Sequence, residues 1–257
     1  MTEEAGAARG GVQSVERAFE LLEILAAAGP AMAFGDLAAR ATLPQPTVHR
    51  LVRTLLDLGY VRQLPNRHYA LGPRLIRLGE SAARLVGTWS RRHLAGLVER
   101  TGESANMAVV DGDMAVYVAQ VPSPHSMRMF TEVGRRVHLH CTGVGKALLM
   151  QMPDDSILAL LKRTGMPAMS ANTHVTAPSL MRDIELSRVR GYAVDEGEQE
   201  LGVRCFSVPV PHAPNLTAIS VSGPGSRLTL ASATTVTPLL ERVARELGAE
   251  YDGEAAG

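Results

Sequence analysis

The chain has 257 residues, of which 46% are hydrophobic and 20% charged, a composition typical of a globular protein of one large or two medium domains. Two cysteines exclude a disulfide-rich scaffold, and no apolar run approaches the roughly 20 residues that cross a bilayer. The 26 Lys and Arg residues balance 26 Asp and Glu residues, so the total charge argues against nucleic acid unless a basic patch is hidden in the average.

The N-terminal residues carry neither a basic region nor an apolar region of the kind that signals export. We therefore expect a cytoplasmic protein without a membrane partner. The charge is unevenly distributed, because the 42 residues from Asp36 to Arg77 contain seven arginines and only two aspartates, a net charge of +5. A local basic surface of this kind is typical of proteins that contact phosphates, so the neutral total does not exclude DNA.

Residues 14–72 are predicted to form three helices and a hairpin. Apolar residues at helical spacing predict helices over 14–29, 35–41 and 46–58, and β-like runs predict strands over 60–63 and 68–71. Ser14 is the predicted N-cap of the first helix, Gly29-Pro30 ends it, and Pro44 and Pro46 mark the turn before the third. This order predicts a winged helix-turn-helix, with a preceding tail over 1–13.

A further amphipathic helix over 73–88 is predicted to link this domain to a second domain over 89–249, and 250–257 read as a loose tail. Predicted strands in the second domain cover 105–110, 114–121, 127–130, 135–140, 191–195, 203–210 and 216–222, and predicted helices cover 90–101, 143–151, 154–164, 178–190 and 230–247. Hairpin signals with scattered helices favour an α+β fold, in which an antiparallel sheet packs against helices.

The third helix carries the residues best placed to read DNA, because the exposed start of such a helix can enter the major groove. Thr47, Arg50 and Thr54 fall on one stripe of this helix. Arg50 could pair with guanine and Gln45 with adenine, while His49 and the wing residue Arg67 could contact phosphates or the minor groove. The alternative is that the helix is an ordinary solvated surface helix.

Several sequence motifs resemble those of IclR-type bacterial transcriptional regulators. They are Val12-Gln-Ser-Val-Glu-Arg-Ala18, Leu43-Pro-Gln-Pro-Thr-Val-His-Arg-Leu51, Tyr69-Ala-Leu-Gly72 and Cys141-Thr-Gly-Val-Gly-Lys-Ala-Leu-Leu149. The resemblance covers about residues 12–249. It implies a winged helix-turn-helix followed by a GAF-like effector domain, and binding of double-stranded DNA at a pseudo-palindromic operator as a homodimer or homotetramer.

Polar residues on otherwise apolar strands suggest where the second domain binds a ligand. Asp195, Cys205, Ser220 and Ser222 are such residues, and alternation places the two serines on one face of their strand. They could bind a small oxo-acid or ureido compound, although satisfied polar core residues are the alternative. Thr142 to Lys146 enter a helix directly after a predicted strand, and the backbone amides of this helix start could bind a small carboxylate. The alternative is that the small residues are needed only for the turn between strand and helix.

The resemblance implies roles for these residues. In glyoxylate- and allantoin-responsive members, an Asp, a Cys and two Ser at matching positions bind the ligand together with backbone from a glycine-rich turn. The matching residues here are Asp195, Cys205, Ser220, Ser222, Gly143 and Val144, with apolar walls from Met129, Val137 and Val203. We therefore expect a small carboxylate or ureido effector and no cofactor.

Three other classes of site are weakly supported. An enzyme with Cys205 or Ser220 as nucleophile lacks the Gly-x-Ser-x-Gly elbow and a paired base, so we expect no catalysis. His138 and His140 could share a strand face and hold zinc with Cys141, but a full ligand set is not evident, so no metal is expected. A redox sensor using the two cysteines lacks a Cys-x-x-Cys motif.

Together these features predict a repressor that a small effector releases from its operator, controlling genes of allantoin and purine degradation or of glyoxylate metabolism. The alternative is an IclR-type activator or repressor of aromatic-acid catabolism.

Overall fold

The structure is a computed structural model that describes residues 11–85, 90–129 and 131–255. The chain divides into two compact units, residues 1–85 and 86–257, which are described separately. Residues 1–10 of the predicted N-terminal tail and 86–88 of the predicted linker lie outside the described residues.

The first unit is a winged helix-turn-helix, as the sequence predicts. It contains α1 (Gln13–Ala27), α2 (Phe34–Arg40), α3 (Gln45–Asp57), the hairpin strands β1 (Val61–Gln63) and β2 (Tyr69–Leu71), and α4 (Arg74–Leu85). Leu21, Leu37 and Val48, one from each of the first three helices, are fully buried in its core. Met32 pairs with Tyr69 and so joins the segment before α2 to the wing. Because α2 ends at Arg40 and α3 begins at Gln45, the turn before Pro46 separates these two helices, as the sequence predicts.

The ends of these helices differ slightly from the sequence prediction. α1 begins at Gln13 with Val12 at the N-cap, and Ser14 lies inside the helix, so the prediction of Ser14 as N-cap is wrong. The Val12 carbonyl instead accepts hydrogen bonds from the amides of Val15 and Glu16. A serine can cap a helix only from the N-cap position, where its hydroxyl oxygen accepts a hydrogen bond from a backbone amide of the first turn, and Ser14 lies past that position, inside the first turn.

The second unit is a six-stranded antiparallel sheet with helices on both faces. Its elements are α5 (Ser90–Thr101), β3 (Ser104–Asp111), β4 (Met114–Val121), β5 (Arg136–Val137), α6 (Gly143–Leu149), α7 (Asp154–Thr164), α8 (Ala177–Arg190), β6 (Ala193–Glu196), β7 (Val203–Pro209), β8 (Thr217–Pro224) and α9 (Ala233–Ala255). The strand order is β5-β4-β3-β8-β7-β6. The α+β prediction is therefore confirmed.

The two faces of the sheet carry different side chains. Met107, Phe206 and Ile219 pack in one buried cluster with residues of α5 and α9. On the other face Ala108 and Ala218 pack in a second cluster with α6, α7 and α8. Because alanine projects little from the sheet, α6 lies close to it, and all seven residues of α6 are buried.

Two predicted strands are wrong or shorter than expected. Residues 127–129 form no strand, and the Met127 carbonyl accepts a hydrogen bond from the Arg227 side chain; residue 130 of that prediction lies outside the described residues. Within 135–140 only Arg136–Val137 is strand, and Leu139–Cys141 forms a 3₁₀ turn. The zinc hypothesis assumed that His138 and His140 share one face of a strand, and the structure contradicts this because neither residue lies in a strand.

The C-terminal helix also corrects the sequence interpretation. A 3₁₀ turn covers Leu230–Ser232, and α9 then continues to Ala255, so 250–255 are helical where a loose tail was expected. Glu250 accepts hydrogen bonds from Arg92 and His93 of α5, which tie this end of the helix to the unit. The sequence alone does not predict this pairing, because α5 and the end of α9 are far apart along the chain.

Candidate DNA-binding and effector sites

The face of α3 opposite its buried side is basic and exposed. Val48, Val52 and Leu55 point into the core, which leaves Arg50 and Arg53 on the solvent side. Among residues 11–85, none of the exposed arginines at 40, 50, 53, 62 and 67 pairs with an acidic side chain in the structure. Their positive charges are therefore available to an external anion.

The predicted DNA-reading residues fall on two sides of α3. Arg50 and Thr54 line an apolar groove between α1, α3 and α4, and the Thr54 hydroxyl donates to the Arg50 carbonyl at 3.0 Å. His49 lies on the other side, where its ring packs edge-on against Phe34 with centroids 6.0 Å apart. Gln45 is exposed at the start of the helix, and Thr47 is half-buried nearby. The stripe therefore brings Arg50 and Thr54 together, while His49 faces α2.

Arg67 lies at the tip of the wing in an unusual backbone conformation. Its φ angle is 64°, in the left-handed region that non-glycine residues rarely adopt. The Arg67 amide donates to the Leu64 carbonyl at 2.9 Å, which closes the turn between β1 and β2. The side chain of Arg67 is exposed at this turn.

The α6 face of the sheet contains a row of polar side chains. Asp195 of β6 stands opposite Cys205 of β7, and Cys205 stands opposite Ser222 of β8. Residues that pair directly across antiparallel strands lie on the same face, about 5 Å apart. Ser220 lies two residues before Ser222 on this same face. The structure thus brings together the four polar residues that the sequence identified.

The start of α6 abuts this row. A Cβ atom placed on Gly143 would lie 2.6 Å from the Cys205 sulfur, so only glycine permits this approach. The Thr142 hydroxyl accepts from the Gly145 amide at 3.1 Å and caps the helix. Gly143 therefore lies against Cys205, the middle residue of the row, and Val144 follows it in the first turn of α6.

Asn106 belongs to the same cluster and was missed from the sequence. It is 1% exposed, and its Nδ2 donates to Ser222 Oγ at 3.0 Å and to Ser220 Oγ at 3.4 Å. Its Oδ1 is buried and has no hydrogen-bond partner among the described residues. The available signal was an amide in the otherwise apolar run Ala105-Asn106-Met107-Ala108. Asn106 fixes the positions of both serine hydroxyls.

The apolar residues predicted as pocket walls separate into two places. Val137 is buried beside Val144 and Tyr117 in the cluster under α6. Met129 and Val203 instead line a cleft of about 400 Å³, together with Met127, Arg128, Arg135, Glu200, Leu201, Gly202 and Pro224. Val203 precedes Cys205 by two residues, so this cleft adjoins the polar row on the same face.

Burial dominates the chemistry of the row. Burial and, to a smaller extent, the nearby Glu198 carboxylate raise the pKa of Asp195 to about 7, although hydrogen bonds from the Glu198 and Gln199 amides and the charge of Lys146 oppose the rise. Burial also raises the pKa of Cys205 to about 12, and the pKa of Cys141 to about 12. Both thiols therefore remain protonated near neutral pH, which does not suit a nucleophile or a redox thiolate.

A buried ion-pair network lies next to the row. Lys146 of α6 is 0% exposed, and its Nζ lies 2.7 Å from Asp183 Oδ2 and 2.5 Å from Glu198 Oε1. The Glu198 amide in turn donates to Asp195 Oδ1 at 2.7 Å. Glu198 thus contacts two groups: its backbone amide binds Asp195 of the polar row, and its carboxylate binds Lys146.

No described residues form an open metal site at the histidines singled out in the sequence. The His138 and His140 rings are 5.3 Å apart, and His140 Nε2 lies 3.1 Å from the Pro167 carbonyl. Cys141 donates to Gln199 Oε1 at 3.2 Å. Ligand-type atoms of His174, Asp183 and Glu198 do lie within 4.8 Å of one another. Because the Lys146 ammonium already pairs with both carboxylates, we assign this group as an ion-pair network.

Known regulators match the chain over both units. Residues 14–65 match the model of the IclR helix-turn-helix domain, and residues 85–249 match that of the bacterial transcriptional regulator IclR C-terminal domain. The chain is 36% identical over 253 residues to the transcriptional repressor IclR of Escherichia coli K12, covering 96% of this chain and 92% of that protein.

Two further similarities extend this result. The chain is 31% identical over 227 residues to the HTH-type transcriptional repressor AllR of Escherichia coli K12, covering 86% of this chain and 84% of that protein. The crystal structure of Thermotoga maritima IclR matches with a TM-score of 0.77 and 26% identity, covering 93% of this chain and 98% of that chain. No helix within the described ranges is both long and apolar enough to cross a membrane.

Proposed function

This chain belongs to the IclR family of bacterial transcriptional regulators, and we propose that it is a repressor that a small carboxylate or ureido compound releases from its operator. It is a DNA-binding regulator and not an enzyme. The observation that carries the effector proposal is the row of Asp195, Cys205 and Ser222, three buried polar residues in register on one face of the sheet, beside the apolar cluster under α6.

The DNA-binding part of the proposal rests on α3 and the wing. Gln45, Thr47 and Arg50 would face base edges, and His49, Thr54 and Arg67 would contact the backbone or the groove walls. The unpaired arginines support this, because exposed cations without acidic partners are free to neutralise phosphates. The contacts of Thr54 and His49 within the domain make Arg50 the strongest candidate for base recognition.

Arg50→Ala should weaken binding to the DNA upstream of this protein's own gene by about 1–3 kcal/mol and relax its sequence preference, because a bidentate guanine contact is lost. Fluorescence anisotropy at several salt concentrations measures both effects. Arg62→Ala should reduce the salt dependence but keep the preference, and Arg182→Ala, in the other unit, should change neither. Equal affinity of the unaltered protein for operator and random duplexes would refute the proposed base recognition by α3.

A second copy of the chain is the expected partner. An apolar groove of about 520 Å³ lies between α1, α3 and α4, and Val15, Phe19 and Leu78 on its rim are more than half exposed. Exposed apolar surface of this kind supports self-association. A homodimer or homotetramer would place two α3 helices on the half-sites of a pseudo-palindrome, so scrambling one half-site should weaken binding in the same anisotropy experiment.

The proposed effector lies against the polar row. Asp195, Cys205, Ser220 and Ser222 would bind its polar groups, Gly143 and Val144 would offer backbone amides, and Met129, Val137 and Val203 would supply apolar contacts. Hydroxyls, thiols and a carboxyl group near its titration point can each donate to oxygen acceptors. A small oxo-acid or a ureido compound presents such acceptors, which supports glyoxylate or allantoate as the ligand class.

Ser222→Ala and Cys205→Ala should each weaken glyoxylate or allantoate binding by about 1 kcal/mol, or roughly fivefold, because each removes one hydrogen bond to the ligand. Isothermal titration calorimetry of the full chain measures this loss. Ser207→Ala is the matched control, since its buried hydroxyl already donates to the Ile219 carbonyl at 2.7 Å. Heat with protocatechuate alone would instead favour an aromatic acid as the effector.

A further inference from the structure

Asp195 is the only carboxyl group in the polar row, and it is nearly inaccessible to solvent. It is 3% exposed, and its Oδ1 already accepts the Glu198 amide at 2.7 Å. Cys205 stands directly opposite it, with Ser222 one strand further. A ligand that contacts Cys205 and Ser222 therefore lies within about one strand spacing, roughly 5 Å, of the Asp195 carboxyl group.

A carboxylate ligand at this position would meet a second negative charge. Two carboxylates so close in a buried site do not both remain ionised, and one of them takes up a proton. The other titratable groups near Asp195 do little to neutralise this second negative charge. The titratable groups around Asp195 are Glu198 after β6, Lys146 on α6, Cys141 in the 3₁₀ turn, Cys205 on β7 and Tyr117 on β4.

The single cation of this group is already engaged. The Lys146 ammonium lies between Asp183 and Glu198, at 2.7 and 2.5 Å, so these two carboxylates hold it away from any ligand charge. Burial raises the pKa of Cys205 and the pKa of Tyr117, so both stay neutral and can only donate or accept hydrogen bonds. The proton needed to balance a bound carboxylate must therefore come from solvent.

We propose that Asp195 determines effector specificity as a neutral acid, so that a carboxylate effector binds together with one proton held between Asp195 and the ligand. The inference rests on the effector site proposed above. In the bound state Asp195 Oδ1 accepts the Glu198 amide, and the protonated Oδ2 donates to a ligand carboxylate oxygen. An uncharged ureido ligand needs no such proton, so pH separates the two ligand classes.

Calorimetry of the full chain at pH 6 and pH 8 tests this inference. Because the pKa of Asp195 is raised to about 7, the affinity for glyoxylate or allantoate should fall about tenfold from pH 6 to pH 8. Repeating the pH 8 titrations in buffers of different ionisation enthalpy should reveal uptake of nearly one proton per site. Any binding of allantoin, which is uncharged at both values, should change much less with pH.

Asp195→Asn supplies the decisive variant, because the amide has the same shape and stays neutral at every pH. Its glyoxylate affinity should be the same at pH 6 and pH 8, without proton uptake. Asp113→Asn is the matched control, since Asp113 lies in an exposed pair with Arg163 and should leave the tenfold change intact. If Asp195→Asn does not fold, carbon-13 NMR of aspartate-labelled protein should still show one carboxyl group titrating near pH 7.

The outcomes separate this inference from the proposed function. Carboxylate binding with equal affinity at both pH values and no proton uptake overturns the inference and leaves the effector class standing. A tenfold change that persists in Asp195→Asn also overturns it, because the proton then binds elsewhere. No heat from glyoxylate or allantoate at pH 6, where Asp195 is protonated, overturns the effector class and the inference together.

Discussion

Lys146→Met should lower the free energy of unfolding by about 3–5 kcal/mol, the cost typical of removing one partner from a buried ion pair. Lys146 is fully buried, and its Nζ contacts Asp183 and Glu198 at 2.7 and 2.5 Å. Methionine fills a similar volume but carries no charge, so two carboxylates would be left without their cation. Urea-induced unfolding of the full chain, followed by circular dichroism, measures the loss.

The sequence provides a matched control, because the chain contains only two lysines. Lys162→Met makes the same chemical change on the exposed surface of α7 and should alter the unfolding free energy by no more than about 0.5 kcal/mol. Adding Asp183→Asn and Glu198→Gln to Lys146→Met should restore part of the stability, since the orphaned negative charges are removed. Equal stability of Lys146→Met and the unaltered chain would contradict the network.

The sequence predicts the α3 region well because its signals are local. Pro44 and Pro46 break the chain before α3, and apolar residues at helical spacing identify its buried face. Nothing in that pattern shows that His49 packs on Phe34, since the contact depends on how α2 crosses α3. Local periodicity therefore identifies the recognition helix but not which of its exposed side chains are already engaged.

The proposed effector site shows what a single sequence cannot reveal about contacts between distant strands. Alternation along β8 predicts that Ser220 and Ser222 share a face, but the alignment of Asp195, Cys205 and Ser222 depends on strand register. Register is a long-range property, because it depends on which residues of two separate strands pair with each other. Asn106 was overlooked for the same reason, because it becomes significant only when β3 pairs with β8.

Lys146 illustrates how a local motif can mislead. In the sequence it ends a Gly-Val-Gly-Lys turn at the start of a predicted helix, a position where backbone amides can bind a small carboxylate. In the structure α6 is buried on every side, so this lysine has no exposed face and satisfies two internal carboxylates. The Lys146 charge is therefore engaged within the domain, and the proposed effector would meet the neutral donors of the polar row.

Asp195→Asn should stabilise the protein at alkaline pH, in contrast to the usual effect of altering a buried polar residue. Burial, reinforced by Glu198, raises the pKa of Asp195 to about 7 from its ordinary value of 3.8. Between these values the folded state binds more protons than the unfolded state, so its stability falls as pH rises from about 4 to 7. Asparagine never ionises and escapes this loss.

The free energy of unfolding of Asp195→Asn, relative to that of the unaltered protein, should therefore increase by about 2–3 kcal/mol between pH 5 and pH 8, as proton linkage requires for a group with these two pKa values. Urea unfolding at both pH values measures the difference, and any constant packing effect of the substitution cancels. Asp113→Asn should show a constant difference in stability between pH 5 and pH 8, because Arg163 lowers the pKa of Asp113 and this carboxyl group is therefore ionised in both the folded and the unfolded state across that range. An unchanged gap for Asp195→Asn would mean that the carboxyl group is already ionised in the folded protein at pH 5. Such a carboxylate would repel an anionic effector at both pH 6 and pH 8, so the stability measurement and the binding measurement test the same buried proton by independent routes.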